Sequence, residues 1–152
     1  MAEIPNTRHG VTGGIGRIEL GGNLAVAALP NLFRKCDLDI TRGNLEIVGT
    51  GPDVTIDAAG LGDRVFHVLP GAHVRLEGLT LSRGLGTQAG GAIYNAGELQ
   101  IERCVITNNS GGSSGWGVDT GGPGGGIYNT GRMTLRYSVV TGNSSGWGSG
   151  GN

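Results

Sequence analysis

GGAIYNAGELQIERCVITNNS, Gly90–Ser110, returns almost unchanged as GGGIYNTGRMTLRYSVVTGNS, Gly124–Ser144. Aligning the copies sets Ile93 on Ile127, Leu99 on Met133, Ile101 on Leu135, Cys104 on Ser138, Ile106 on Val140 and Asn109 on Asn143, always 34 residues apart. The same grammar runs upstream. Phe66, Val74, Leu76, Leu79, Leu81 and Gly84 precede the first copy's residues by 25 to 27 positions, and Ile40, Leu45, Ile47, Val54 and Ile56 lie one unit further back. The basic unit is therefore about 25 residues, and the 34-residue unit is the same one with nine residues inserted after Asn109. Repeats of this length indicate a stacked array in which each unit buries its apolar face on its neighbours.

Within a unit, apolar and polar residues alternate over three to five positions, as in VRL, LQI and TLRY. That is the period of a strand. Three short strands per unit, each ended by Gly or Asn, describe a chain that bends at each corner and returns above itself, since these residues accept positive φ at low cost. The expected fold is all-β, a right-handed parallel β-helix (solenoid) of four to five rungs. A sandwich would need antiparallel hairpins with tight turns, which a same-direction repeat does not provide. Residues 1–37 read as an N-terminal cap and incomplete first rung, with RIEL as one strand. Residues 38–152 read as the parallel β-helix repeats, truncated at the C-terminus.

Composition agrees with one such domain. Of 152 residues, 33 are Gly and 5 are Pro, close to a low-complexity chain, and only the regular placement of the apolar residues argues for a fold. A net charge of -1 provides no large electrostatic footprint for nucleic acid or an anionic membrane. The apolar run Leu24–Leu29 is far too short for a membrane span. MAEIPNTRHG lacks the apolar segment of a secretory signal, which leaves an intracellular chain or a piece of a longer precursor. GSGGN stops where a third GG(A/G)IYN is expected, favouring the piece.

The repeat GG(A/G)IYN…G.(L/M).(I/L)…(C/S).(I/V)T.NS resembles that of right-handed β-helix surface proteins, including the chlamydial polymorphic membrane proteins and long bacterial secreted proteins. The segment GNLEIVGTGPDVTIDAAGLGDRVFHVLPGAHVRLEGLTLSRG is similar to the one that leads into such repeats. Together they cover roughly Leu38 to Ser145. The resemblance implies an extracellular or cell-surface location and a role as adhesin, stalk or passenger domain.

In such a stack Leu76, Leu81, Ile101, Ile106, Leu135 and Val140 point inward in columns about 4.8 Å apart. Cys104 falls in a column as a small hydrophobe, and Cys36, two turns away, lies beyond disulfide reach of it, leaving two unpaired thiols or an intermolecular link through Cys36. Asn95 with Asn129 and Asn109 with Asn143 are expected to bond across corners. Facing outward, Arg75, Glu77, Gln100, Glu102, Thr134 and Arg136 form a mixed-charge face, with an ion pair expected between Glu102 and Arg136. A second outward set is Thr55, Thr80, Val105 and Val139 beside Asp57, Ser82, Thr107 and Thr141. Its Thr55, Thr80, Thr107 and Thr141 are the basis for an ice-binding reading, which Asp57 interrupts.

His67, Tyr94 and Tyr128 stack outward on the first strand, where aromatic rings pack on sugar rings or on one another. The loops GGSSGWGVDTGGPG and SGWGSGGN set Trp116 and Trp147 among glycines, as covers for the edge of the stack or as binding handles. The expected binding residues are Trp116, Trp147, Tyr94, Tyr128 and His67. No catalytic residue, metal ligand or cofactor is assigned. Asp53, Asp57, Asp63 and Asp119 are spread over different turns without a paired carboxylate. The lone lysine, Lys35, lies in the cap. No calcium-repeat, HExxH, GxSxG or CxxC pattern is present, and GGPGGG lacks the Lys-Ser/Thr of a phosphate loop.

These readings lead to a structural or recognition domain without catalysis, adhesin-like and contacting polysaccharide or cell-surface glycan through exposed aromatics. No nucleic acid or membrane span is expected, and an open end invites end-to-end self-association. A polysaccharide lyase or hydrolase fragment is the alternative, and an ice-binding surface the third.

Overall fold

The computed structural model describes residues 11–25, 37–86, 88–112 and 122–145. It is all-β, with no helix among the described residues, so none there is long and apolar enough to cross a membrane. The strands in chain order are β1 (Val11–Leu20), β2 (Leu24–Ala25), β3 (Leu38–Gly49), β4 (Thr55–Asp57), β5 (Phe66–Val68), β6 (Ala72–Glu77), β7 (Thr80–Ser82) and β8 (Leu85–Gly86). They continue with β9 (Ile93–Asn95), β10 (Glu98–Glu102), β11 (Val105–Thr107), β12 (Ser110–Gly111), β13 (Ile127–Asn129), β14 (Arg132–Arg136), β15 (Val139–Thr141) and β16 (Ser144–Ser145).

Each strand pairs in parallel with its counterpart in the next repeat, and three sheets result. The largest runs β13-β9-β5-β3-β6-β10-β14, with β1 also on β3. β3 is long enough to serve two ladders at once: Leu38–Ile40 pairs with β5, and Gly43–Val48 pairs with β6. The second sheet is β15-β11-β7-β4-β2 and the third β16-β12-β8. RIEL is the end of the ten-residue β1 rather than a strand by itself.

The 34-residue alignment is realised pair by pair, with Leu99 beside Met133, Ile106 beside Val140 and Tyr94 beside Tyr128. The upstream alignment also holds for Leu45–Val74–Leu99 and Ile56–Leu81–Ile106. One residue differs. Phe66 stacks on Leu38, and Ile40 belongs two positions along, beside Val68. The two-residue ladder through Ser110 and Gly111 is a fourth strand position per repeat, too short to leave an alternating pattern in the sequence.

The core is the set of inward columns. Leu76, Leu81, Ile93, Leu99, Ile101 and Ile106 are all essentially inaccessible, each stabilising the fold by about 1.5–3 kcal/mol relative to exposure. Leu135 and Val140 occupy the expected columns but are 40% and 45% exposed, because no described repeat lies over them. Their expected place in the core is therefore only half realised. Two corners repeat along the stack. Gly78, Arg103 and Tyr137 have φ of 64°, 51° and 51°, and Arg83, Asn108 and Gly142 have 59°, 55° and 63°. A bend at a fixed place forces the left-handed conformation there whatever the residue, at a cost of about 1 kcal/mol or more for side chains other than Gly.

Gly49 shows how closely repeats approach. A Cβ there would lie 2.2 Å from the Gly78 carbonyl oxygen, a backbone atom that cannot swing away, whereas Gly22 has nothing within 4 Å. Gly49→Ala is expected to cost about 2 kcal/mol and Gly22→Ala close to nothing, as read by urea denaturation. Equal midpoints for the two variants would contradict the packing.

Candidate functional site

The column of outward side chains on the first ladder is Asp39, His67, Tyr94 and Tyr128, one from each of β3, β5, β9 and β13. Alternation fixes their direction. Each sits between inward neighbours, His67 between Phe66 and Val68 and Tyr94 between Ile93 and Asn95, all of them buried. The rings keep the strand spacing, with His67 and Tyr94 centroids 4.9 Å apart at 68° and Tyr94 and Tyr128 centroids 5.1 Å apart at 61°. These edge-to-face contacts are worth about 0.5–1.5 kcal/mol each. The expected proximity of the three rings is therefore met, and they stack edge-to-face along the surface.

Polar groups gather at one end of this row. Asp37, just before β3, points the same way as Asp39, with Leu38 buried between them. Leu38 N–H donates to Val65 O (3.0 Å), which brings Asp63 and Arg64 beside Asp37. Arg64 Nε lies 3.2 Å from Asp37 Oδ2 and 3.6 Å from Asp63 Oδ1, and its guanidinium carbon is 5.4 Å from the Tyr94 ring centroid. His67 Nδ1 lies 3.0 Å from Asp39 Oδ1 and 3.9 Å from Asp37 Oδ2. Burial, with repulsion from Asp63 and Asp39, pushes the Asp37 carboxyl up to about 6 against the opposing pull of Arg64. A carboxyl with that value shares its proton readily near neutrality.

No family model, curated protein or solved structure matches the chain. The site therefore rests on its own geometry. The expectation of unpaired carboxylates did not include Asp37 and Asp39, and it is Asp37 that has acidic neighbours here, Asp39 on one side and Asp63 on the other. The signal available was CDLDI, two acids on one face of a strand. It is informative only once the register sets Asp39 beside His67.

The other expected site residues divide. Trp116 and Trp147 lie outside the described residues, as do Cys36, Lys35 and Asp119. The mixed-charge face forms a continuous network in which Arg75 bonds Glu46 (2.7 Å), Glu77 (2.7 Å) and Glu102 (2.9 Å), Arg17 bonds Glu46, and Arg103 bonds Glu77. Glu102 is held by Arg75 and Arg103, so the expected pair with Arg136 is not the one formed, although the two are register neighbours. Hydrogen bonds from Arg75 hold the Glu102 carboxyl below its ordinary range, and those from Arg17 do the same for Glu46. This face lines a shallow groove of about 220 Å³ with His73, Glu98 and Gln100, its central charges already engaged with one another. The threonine columns are realised in register, and Asp57, bound by Arg83, interrupts them as expected.

Proposed function

We propose that the chain is a right-handed parallel β-helix of a secreted or cell-surface protein, a non-catalytic recognition domain that holds a polysaccharide along the row His67, Tyr94 and Tyr128. One observation carries the reading: three half-exposed rings, one per repeat, 4.9 and 5.1 Å apart, lead to a cluster of carboxylates and a guanidinium. Such a row suits a sugar chain. Ring edges and faces take the apolar C–H surfaces, while the part-exposed Asp39 and the tyrosine hydroxyls match hydroxyls that both donate and accept. The stacked parallel strands at a repeat of 25 to 34 residues support the solenoid, and the resemblance of the repeat supports the surface location.

A panel of neutral and acidic polysaccharides titrated by calorimetry tests this. A saturable heat is expected for at least one polymer, and Tyr128→Ala is expected to weaken it about tenfold while the fold, read by circular dichroism, persists. A flat panel would leave the domain as a rigid scaffold. The raised Asp37 carboxyl beside Asp39 favours a glycoside hydrolase as the second reading, since such a pair supplies an acid and a base or nucleophile. New reducing ends in the same samples would establish it.

A further inference from the structure

Asp37, Asp39 and His67 each bring one donor atom into the same small volume, all within 4.8 Å of one another. Ligands held about 2.0–2.2 Å from one tetrahedral ion are themselves separated by about 3.3–3.6 Å. The distances from His67 Nδ1, 3.0 Å to Asp39 Oδ1 and 3.9 Å to Asp37 Oδ2, bracket that span, so side-chain shifts of a few tenths of an ångström would seat the ion. We propose that Asp37, Asp39 and His67 bind one divalent transition-metal ion of the zinc class at the head of the aromatic row. The donor set selects the ion. One imidazole nitrogen with two carboxylate oxygens suits zinc, whereas calcium and magnesium take oxygen alone.

Charge and hydrogen bonding support the site separately from the distances. With the imidazole neutral, Asp37, Asp39 and Asp63 set against Arg64 leave two negative charges in a partly buried cluster, which a divalent ion neutralises. The second observation is Arg64. Its side chain is only 9% exposed, and its Nε lies 3.2 Å from Asp37 Oδ2 at the edge of the cluster while the N–H there makes no hydrogen bond. A buried donor left unmatched costs about 1–3 kcal/mol. An anionic oxygen on the ion's open fourth position, hydroxide or a carboxylate, supplies the acceptor. A plain Asp39–His67 ion pair accounts for the 3.0 Å contact, but for neither the accumulated charge nor the unmatched donor. The strands give rigidity, because Asp39 and His67 are register partners on β3 and β5.

The test is a calorimetric titration of the full chain, free of any affinity tag, with zinc chloride. One equivalent is expected to bind, weakened about 30-fold or more in His67→Gln and in Asp39→Asn and unchanged in His73→Gln, with calcium giving no heat. X-ray absorption on the zinc-loaded wild-type protein keeps the question decidable if a variant fails to fold: a nitrogen and oxygen shell near about 2.0 Å without sulfur is expected. A sulfur shell, affinity indifferent to both substitutions, or no binding at tens of micromolar zinc would overturn the proposal. None of these results depends on whether a polysaccharide binds.

Discussion

Asn109→Ala is expected to lower stability by about 4 kcal/mol, enough to move the urea midpoint by roughly 2 M. The Asn109 side chain is buried at the second corner and works in both directions. Its Oδ1 accepts from Gly84 N–H (2.9 Å), and its Nδ2 donates to Leu81 O (3.1 Å), Thr107 O (2.9 Å) and Asn143 Oδ1 (2.9 Å). Removing it strands a buried backbone donor and a buried acceptor, each costing about 1–3 kcal/mol. Asn143 has the same role one repeat later, accepting from Asn109 N–H (3.0 Å) and donating to Ile106 O (2.8 Å) and Thr141 O (3.1 Å), but it is itself half-exposed with nothing described above it, so water has access to the groups it would leave. Asn143→Ala is therefore expected to cost only about 1 kcal/mol. Equal losses for the two variants would show that the corner asparagines act through local turn preference rather than through bonds between repeats.

Asp37→Asn is expected to act in the opposite direction, and only at higher pH. A carboxyl raised from 3.8 to about 6 binds its proton more tightly in the folded chain than in the unfolded one. Its favourable contribution is fully present below about pH 4 and is lost as pH rises through about 6. By about pH 8 the ionised group costs wild type up to about 3 kcal/mol, since each tenfold difference in proton affinity between folded and unfolded chain is worth about 1.4 kcal/mol. Asn has a similar shape without the charge, and Arg64 keeps Asp63 at 3.6 Å. In the presence of a chelator the variant should be about 1–3 kcal/mol more stable than wild type at about pH 8 and no more stable at about pH 4. Glu46, Glu102 and Asp57, held low by arginines, destabilise both proteins alike in acid and drop out of the comparison. A difference that does not change with pH would remove repulsion at Asp37 as its cause.

Much of the strand pairing is legible in the repeat. A period of 34 with regular alternation leaves one register for β9 with β13 and for β10 with β14, and the asparagine corners follow from that register. Legibility fails where the period blurs. Spacing alone matches Ile40 to Phe66, because it cannot count the residues of a strand that continues through two ladders, as β3 does. The ion pairs are only partly legible, for another reason. Arg17 and Arg75 do bond their register partner Glu46, but Arg75 also reaches Glu77 on its own strand and the off-register Glu102, so Glu102 turns away from Arg136. The aromatic row could be read because a single residue type recurs at a single position. The acid cluster could not, since Asp37 and Asp39 precede or open β3 while Asp63 and Arg64 lie in the connection before β5, and the two segments share no residue pattern although their strands pair.

Burial falls away through β13 to β16, and this has a consequence for how the molecule comes apart. Ile127 and Met133 are half covered and Leu135 and Val140 are open, while Leu99, Ile101 and Ile106, one repeat earlier, are sealed. Detaching the last repeat would expose those three in turn and recreate the same surface one layer lower. For the solenoid proposed above, the natural unit of cohesion is then the seam between neighbouring repeats, and the energy of the whole is approximately a sum over seams. Melting of such a solenoid would proceed seam by seam, so a single two-state free energy describes it less well than one number per seam.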